Sequence, residues 1–361
     1  MKKARVLVVD DSVVIRRLVT DVLASDSAIE VAGEAPNGKV ALQKMGELMP
    51  DLITLDIEMP EMNGLQTLRM IRSINPRVPV IMFSALTERG AAETLEALHS
   101  GASDYMTKPS STAGRAFAEQ RIREDLLPKI KSLCRLTPGR DADGARAPLP
   151  RPPVTPLRAA ATMTAEVIAI GLSTGGPTAL AQIFTQLPSD FPVPIAVVQH
   201  MPQMFTRFFA ERLNAQTSLT VIEAVDGQPV RPGVVYVAPG DYHLTFRRKN
   251  GQVVTGLDQE PPEHSHRPSA DVLFRSAADV YGPRALGVVL TGMGHDSLRG
   301  SEDIIRAGGR VVVQDEATSV VWEMPGLVAR AGLADAVLPL DAVAAALMTR
   351  TGCIAGVHGS R

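Results

Sequence analysis

The sequence predicts an α/β protein of two domains, each built on a mainly parallel sheet covered by helices on both faces. Three observations carry this reading. Apolar runs of four to six residues alternate with amphipathic helical patterns in two separate regions of the 361-residue chain. A segment rich in helix and strand breakers divides those regions. Where the alternation fails, in the second region, two strand-like runs are joined by Asn250-Gly251, a favoured two-residue hairpin turn.

In the first region strands are expected over 5–9, 29–32, 52–55, 80–83 and 103–106. Helices are expected over 14–24, 38–49, 64–74, 88–100 and 115–133. Most of the strand runs are Val-, Ile- or Leu-rich without polar alternation, as strands buried on both faces require. Residues 137–163 then carry Pro138, Pro148, Pro150, Pro152, Pro153 and Pro156 with Gly139 and Gly144. No apolar period survives there, so this is a linker, extended where prolines cluster, and its excess of arginine reads as solubility. In the second region strands are expected over 167–171, 195–199, 234–238, 285–290 and 310–313, with the hairpin over 243–248 and 252–257. Helices are expected over 178–187, 205–214, 270–281, 301–307 and 342–351. The expected organisation is a first domain over 1–133, a linker over 134–163, a second domain over 164–352 and a tail over 353–361.

Composition narrows the class of function. Apolar residues make up 45% and charged residues 21%, as in ordinary globular proteins. A net charge of −2 argues against nucleic acid or an anionic membrane as the main partner. Lys2-Lys3 precede an apolar run, but Asp10-Asp11 cut it short, so neither a signal peptide nor direct membrane insertion is expected. The two cysteines, Cys134 and Cys353, are far apart and predict no disulfide framework. The expected location is the cytoplasm.

Chemistry-bearing residues gather at the carboxyl ends of the expected strands, where open α/β sheets bind ligands. In the first domain these are Asp10-Asp11, Asp56, Ser84 and Lys108-Pro109. Three converging carboxylates repel one another unless a cation sits among them, and hard oxygen donors with room for water suit Mg²⁺. A lysine and a hydroxyl opposite suit the oxygens of a phosphoryl group. Chance alone commonly places an acid or serine at one strand end, but less readily at all of them.

The segments Val8-Val9-Asp10-Asp11-Ser12, Leu55-Asp56-Ile57-Glu58-Met59-Pro60, Ser84-Ala85 and Lys108-Pro109 resemble a two-component receiver domain over residues 1–133. That resemblance implies a flavodoxin-like (βα)5 fold, with Asp56 accepting phosphate from a histidine kinase. It implies Mg²⁺ held by Asp10, Asp11, Asp56 and the Glu58 carbonyl. Ser84 and Lys108 would respond to the phosphoryl group, with Tyr105 as a rotameric switch.

In the second domain Ser173 lies in Gly171-Leu172-Ser173-Thr174-Gly175-Gly176, at a turn from a buried strand into a helix. Read alone, it caps a helix as readily as it attacks a carbonyl. A nucleophile needs a base, and the domain offers His200, His243, His264, His266, His295 and His358. His200 closes the run Ile195–Gln199 on the same edge as Ser173. His264 and His266 fall in a proline-flanked turn without metal-ligand spacing, and His358 is near the terminus. Asp296 follows Thr291-Gly292-Met293-Gly294-His295, whose glycine-freed N–H groups suit an oxyanion. Read alone, Asp296 is the cap of the helix that follows it. The Gly-x-Ser-x-Gly spacing also fits the α/β-hydrolase elbow, but the order Ser, His, Asp argues against that fold.

Five segments of this domain resemble the chemotaxis protein-glutamate methylesterase (CheB) catalytic domain over residues 165–348. They are Ser173-Thr174-Gly175-Gly176, Gln199-His200-Met201-Pro202, Ala238-Pro239-Gly240, the stretch from His266-Arg267-Pro268-Ser269 to Phe274, and Leu290 to Asp296. The resemblance implies Ser173 as nucleophile, His200 as base, Asp296 as the orienting carboxylate, and an oxyanion hole from the Thr174 and Met293 N–H groups. It implies hydrolysis of glutamyl methyl esters on a methyl-accepting chemoreceptor, and deamidation of selected glutamines. It further implies no cofactor for the esterase, and a receiver that covers the site until Asp56 is phosphorylated. The sequence departs from the family at Leu172 (usually Ala), at Ser297 (usually Gly) and at His295. Two other readings compete: a phosphate- or nucleotide-binding module, disfavoured by the lack of a phosphate-loop spacing, and a phosphorylation-switched adaptor without esterase activity.

Overall fold

The computed structural model describes residues 3–109, 114–136 and 164–353. They form two compact units, within Met1–Gly144 and within Ala145–Arg361. Residues 137–163 of the expected linker and the tail with His358 lie outside the described residues.

The first unit runs β1 (Ala4–Val9), α1 (Val13–Ala24), β2 (Ile29–Ala35), α2 (Gly38–Leu48), β3 (Leu52–Asp56), α3 (Gly64–Ile74), β4 (Val80–Ser84), α4 (Glu88–His99) and β5 (Asp104–Thr107). Its five strands are parallel in the flavodoxin-like order β2-β1-β3-β4-β5. β3 and β4 are buried throughout, because helices cover both faces of the sheet. Side-chain caps start α1 to α4: Ser12, Asn37, Asn63 and Thr87 each accept an N–H from the first helical turn, Asn63 within a capping box closed by Gln66.

The helix expected over 115–133 is instead three pieces: α5 (Arg115–Arg121), a π turn (Ile122–Leu126) and α6 (Leu127–Leu133). Pro128 is the physical reason. It has no N–H to donate, and its ring crowds the carbonyl of Glu124. Leu127 accordingly donates its N–H five residues back, to Ile122.

The second unit begins with β6 (Val167–Leu172), α7 (Gly176–Phe184), β7 (Ile195–Gln199), α8 (Gln203–Gln216), β8 (Thr220–Glu223) and β9 (Val234–Val237). A hairpin, β10 (His243–Lys249) with β11 (Gln252–Asp258), forms a separate antiparallel sheet. Asn250 and Gly251 turn it with φ of 49° and 79°, the left-handed pair that a two-residue loop needs. Then follow α9 (Ala270–Tyr281), β12 (Ala285–Val289), α10 (Leu298–Arg306), β13 (Arg310–Gln314), α11 (Met324–Arg330), β14 (Ala336–Leu338) and α12 (Leu340–Arg350). Seven parallel strands form the main sheet, in the order β14-β13-β12-β6-β7-β9-β8. The edge strands β8 and β14, and α11, are absent from the sequence reading. They are short, at four, three and seven residues, and carry no period of their own.

The chain leaves β6 toward β7 on one side and later returns to lay β12 on the other. The strand order therefore switches between β6 and β12, and the loops leaving their carboxyl ends diverge to open a crevice. Register aligns the exits: Gly171 pairs with Val289, and Leu172 with Gln199. Ser173 and His200 each stand one residue beyond the last pair on neighbouring strands.

On one face α9 and α10 cross at backbone distance. A Cβ added at Gly300 would lie 2.6 Å from Phe274 Cβ and 2.9 Å from Asp271 Cα, so only glycine permits the approach. α10 is led in by Ser297 with φ of 86°, in the region that favours glycine. The Ser297 hydroxyl is buried without a hydrogen-bond partner, pressed against Gly171. Here the departure from the family's glycine acquires a structural cost. Ser297→Gly is expected to raise the unfolding midpoint of this unit in thermal melts of the full chain, by the equivalent of about 1–2 kcal/mol. An unchanged or lowered midpoint would show that the serine is not strained.

Candidate active site

His200, at the end of β7, and Asp296, in the loop after β12, meet across the mouth of β6. His200 Nε2 lies 2.8 Å from Asp296 Oδ2. Asp296 is almost wholly enclosed and accepts four further bonds: from Ala270 N–H (2.6 Å), Asp271 N–H (2.9 Å), Ser269 Oγ (2.8 Å) and its neighbour Ser297 N–H (3.0 Å). Asp296 thus caps α9, not the following helix α10. Asp271, at the start of α9, returns the arrangement: its Oδ1 accepts the Gly300 N–H of α10 at 2.6 Å. The two helix N-termini cap each other through exchanged carboxylates.

The carboxylates respond differently. Burial alone would raise Asp296, but the His200 hydrogen bond and charge, with the N–H groups of Ala270 and Asp271, hold it well below the usual carboxylate range. Burial and then the charge of Asp296 raise Asp271, against its bond from Gly300. An ionised Asp296 cannot donate, so the hydrogen of its bond to the imidazole comes from Nε2. The second ring nitrogen, Nδ1, is buried and has no hydrogen-bond partner. This imidazole presents its atoms the opposite way round from the chymotrypsin arrangement, where Nδ1 faces the aspartate.

Ser173 leads out of β6 into a tight turn. Its N–H donates to Thr291 at 3.1 Å, and its carbonyl accepts from Gly176 N–H at 2.8 Å and Gln199 Nε2 at 3.1 Å. His200 N–H donates back to the Leu172 carbonyl at 3.4 Å, keeping the two strand ends in register. Gly175 turns with φ of 79°. Thr174 is buried, and Met293 is half-buried in the neighbouring loop. A Cβ on Gly292 would come within 3.0 Å of Ser173 N and Cβ, so that loop lies directly against the serine. His295 is exposed. Leu172 is fully buried against Gly176.

Several neighbours escaped the sequence reading. His266 stacks on His200 with ring centroids 3.8 Å apart and planes within 10°. His264 Nε2 lies 3.1 Å from Asp271 Oδ2. Glu323 Oε2 accepts the Gly294 N–H at 3.1 Å, holding the Met293–Gly294 backbone. The stretch from His266 to Asp271 stood out only through its family resemblance, and nothing in its spacing points at His200. His243 is buried, accepting the Ser269 N–H on Nδ1 at 3.2 Å, which is a structural use.

In the first unit the edge of the sheet gathers Asp10, Asp11, Asp56 and Lys108. Carboxylate oxygens of the three aspartates lie within 4.8 Å of one another. Lys108 Nζ lies 2.7 Å from Asp56 Oδ2 and 3.0 Å from Asp10 Oδ2. Burial and then the charge of Asp10 push Asp56 up to about 6, against the bond and charge of Lys108. Burial likewise raises Asp10. Two buried carboxylates sharing one ammonium are under-neutralised, so the donor set fits a hard divalent cation. Asp56 Oδ1 accepts the Glu58 N–H at 3.2 Å. The Ser84 hydroxyl donates to the Gly90 carbonyl at 3.0 Å. Tyr105 is buried beneath Lys129, whose ammonium is 5.3 Å from the ring centroid.

Comparison with known proteins agrees with this division. Residues 6–114 match the response regulator receiver domain, and residues 168–347 match the CheB methylesterase family. A Nocardioides protein named protein-glutamate methylesterase/protein-glutamine glutaminase is 51% identical over 94% of this chain and 93% of its own. A Trichodesmium erythraeum protein of the same name is 48% identical over 98% of this chain and 100% of its own. The crystal structure of the Thermotoga maritima CheB methylesterase catalytic domain, 43% identical, superimposes with a TM-score of 0.50 over 52% of this chain and 98% of that one. The chain belongs to the CheB methylesterase family, with a response regulator receiver domain ahead of the methylesterase domain.

Proposed function

We propose that this protein is a serine hydrolase that removes methyl groups from glutamyl methyl esters on a protein substrate, under control of phosphorylation at Asp56. The observation that carries the catalytic reading is the His200–Asp296 pair. Nε2 is tied to an ionised carboxylate, the buried Nδ1 lacks a partner, and the backbone sets His200 and Ser173 one residue beyond the last pair of neighbouring strands. A buried polar nitrogen left open costs stability, and a proton-accepting role accounts for its retention.

The reaction is acyl transfer in two halves. Ser173 Oγ attacks the γ-carbonyl carbon as His200 Nδ1 takes the hydroxyl proton. The tetrahedral oxyanion is met by the backbone N–H groups of Thr174 and Met293. The C–O bond to the methoxy group breaks, and the same proton passes to methanol. Water then adds to the acyl-enzyme with His200 as base, releasing the glutamate carboxylate and restoring Ser173. A glutamine side chain follows the same steps with ammonia as leaving group, in keeping with the double name of the relatives. Asp296 keeps Nε2 protonated and the ring oriented throughout.

The receiver pocket supports a histidine kinase as phosphodonor, with Asp56 as acceptor. Mg²⁺ bound by Asp10, Asp11, Asp56 and the Glu58 carbonyl would neutralise the carboxylates and the incoming phosphoryl oxygens. Lys108 and Ser84 would contact the phosphoryl group, and Tyr105 would follow the change. The family and the receiver together favour a methyl-accepting chemoreceptor, met in the cytoplasm, as substrate. Among the described residues no helix is long and apolar enough to cross a membrane.

Three measurements test this reading. Wild type should release methanol from a methylated receptor fragment, and Ser173→Ala should lose at least about a thousandfold of that rate; equal inertness of both would favour an adaptor. Acetyl phosphate with Mg²⁺ should raise the wild-type rate, and Asp56→Asn should abolish the rise. The third measurement concerns stability. Asp56 binds its proton more tightly in the folded state than at its unperturbed value of 3.8, so its charge costs stability as pH rises through about 4 to 6 and above. Asp56→Asn should therefore stabilise the receiver at pH 7, by on the order of 2–3 kcal/mol, and have little effect near pH 4. Thermal melts at the two pH values decide it, and equal shifts at both would overturn the electrostatic account.

A further inference from the structure

We infer that His266 is a positioning residue for the reaction, holding the plane of the His200 imidazole by face-to-face stacking. The inference rests on the catalytic reading of His200 and adds the element that reading lacks. One hydrogen bond, Nε2 to Asp296, anchors the ring edge at a single atom. The ring can still swing about that contact, displacing Nδ1. A flat partner on the ring face removes that freedom. His266 lies 3.8 Å above it, within 10° of parallel.

The support under His266 is built for fixed placement. Glu263 and His266 exchange both backbone hydrogen bonds, at 3.2 and 2.9 Å, closing a two-residue turn over His264 and Ser265. Both turn residues have positive φ, 51° and 66°, as this turn geometry requires. The turn is then staked to α9 twice. Glu263 receives both Nη atoms of Arg275 at 3.0 Å, and His264 Nε2 lies 3.1 Å from Asp271 Oδ2. On the far side Arg267 is tied to Asp241, at 3.1 Å through Nε. Asp296 is referenced to the same helix, through the N–H groups of Ala270 and Asp271. The edge and the face of His200 are thus both located by the N-terminus of α9. Catalysis is sensitive to displacements of this kind, with about a hundredfold lost for a 1 Å error.

Three substitutions separate a flat positioning surface from simple filling of space: His266→Ala, His266→Leu and His266→Phe. The expected result is a fall in kcat of about tenfold for the alanine and leucine variants with KM within about twofold, and recovery of most of kcat in the phenylalanine variant. Proton NMR gives a readout independent of turnover. The downfield Nε2–H resonance of His200 should persist in wild type and His266→Phe, and broaden by exchange in His266→Ala and His266→Leu. Alanine and wild type alike in kcat and in this resonance would overturn the inference. Leucine as active as phenylalanine would reduce His266 to a filler and overturn it equally. If wild type releases no methanol, the catalytic reading falls, while the resonance still decides whether His266 fixes the ring.

Discussion

Both units obey one constraint: a parallel sheet covered by helices on both faces has no side on which to place polar chemistry. β6 and β12 are buried at every residue, as are β3 and β4. Groups that must meet water or a substrate can stand only where strands end. Asp10, Asp56 and Lys108 occupy that edge in the first unit, and Ser173, His200 and Asp296 occupy it in the second. Because the ladders fix register, the spacing of Ser173 and His200 is set by backbone pairing, at about the 4.8 Å separation of neighbouring strands. Side-chain packing has only to finish the orientation.

Orientation in the second unit comes from helices. α9 and α10 approach at Gly300 closely enough for each to receive the other's carboxylate, and Asp296 serves the helix and the imidazole at once. Its ionised state follows from this double use, since each N–H it accepts stabilises the charge that orients His200. In the first unit there is no comparable surplus of donors. Asp10 and Asp56 share one lysine, and their carboxyls rise instead of falling. The difference suits a pocket meant to exchange cations and phosphate as against one meant to keep its proton arrangement.

Much of this was legible in the chain. The central strands announce themselves as apolar runs rich in Val, Ile, Leu and Ala, and Ser173 and His200 each follow one. The edge strands β8 and β14 did not, because short, half-exposed runs have no pattern apart from the sheet they join. Pro128 marked a helix fault that a periodic reading passed over. The partners of Asp296 were hidden for a different reason: local grammar assigns an acid to the helix after it, whereas a crossing of two helices hands it to the one before. The stacking of His266 on His200 was hidden in the same way. That contact depends on a left-handed turn at His264–Ser265, which lacks the Asn-Gly or Asp-Gly pair that usually marks one.

The exchanged caps also alter how a dead enzyme should be made. Replacing Asp296 removes the partner of His200 Nε2 and strips α9 of the acceptor for its first amides, so such a protein would report a collapsing scaffold as much as any lost chemistry. Replacing Ser173 at its hydroxyl leaves every main-chain bond of the turn in place. An experimenter who wants the receiver, the substrate surface and the fold intact with only the chemistry missing should therefore alter the serine and leave the aspartate alone.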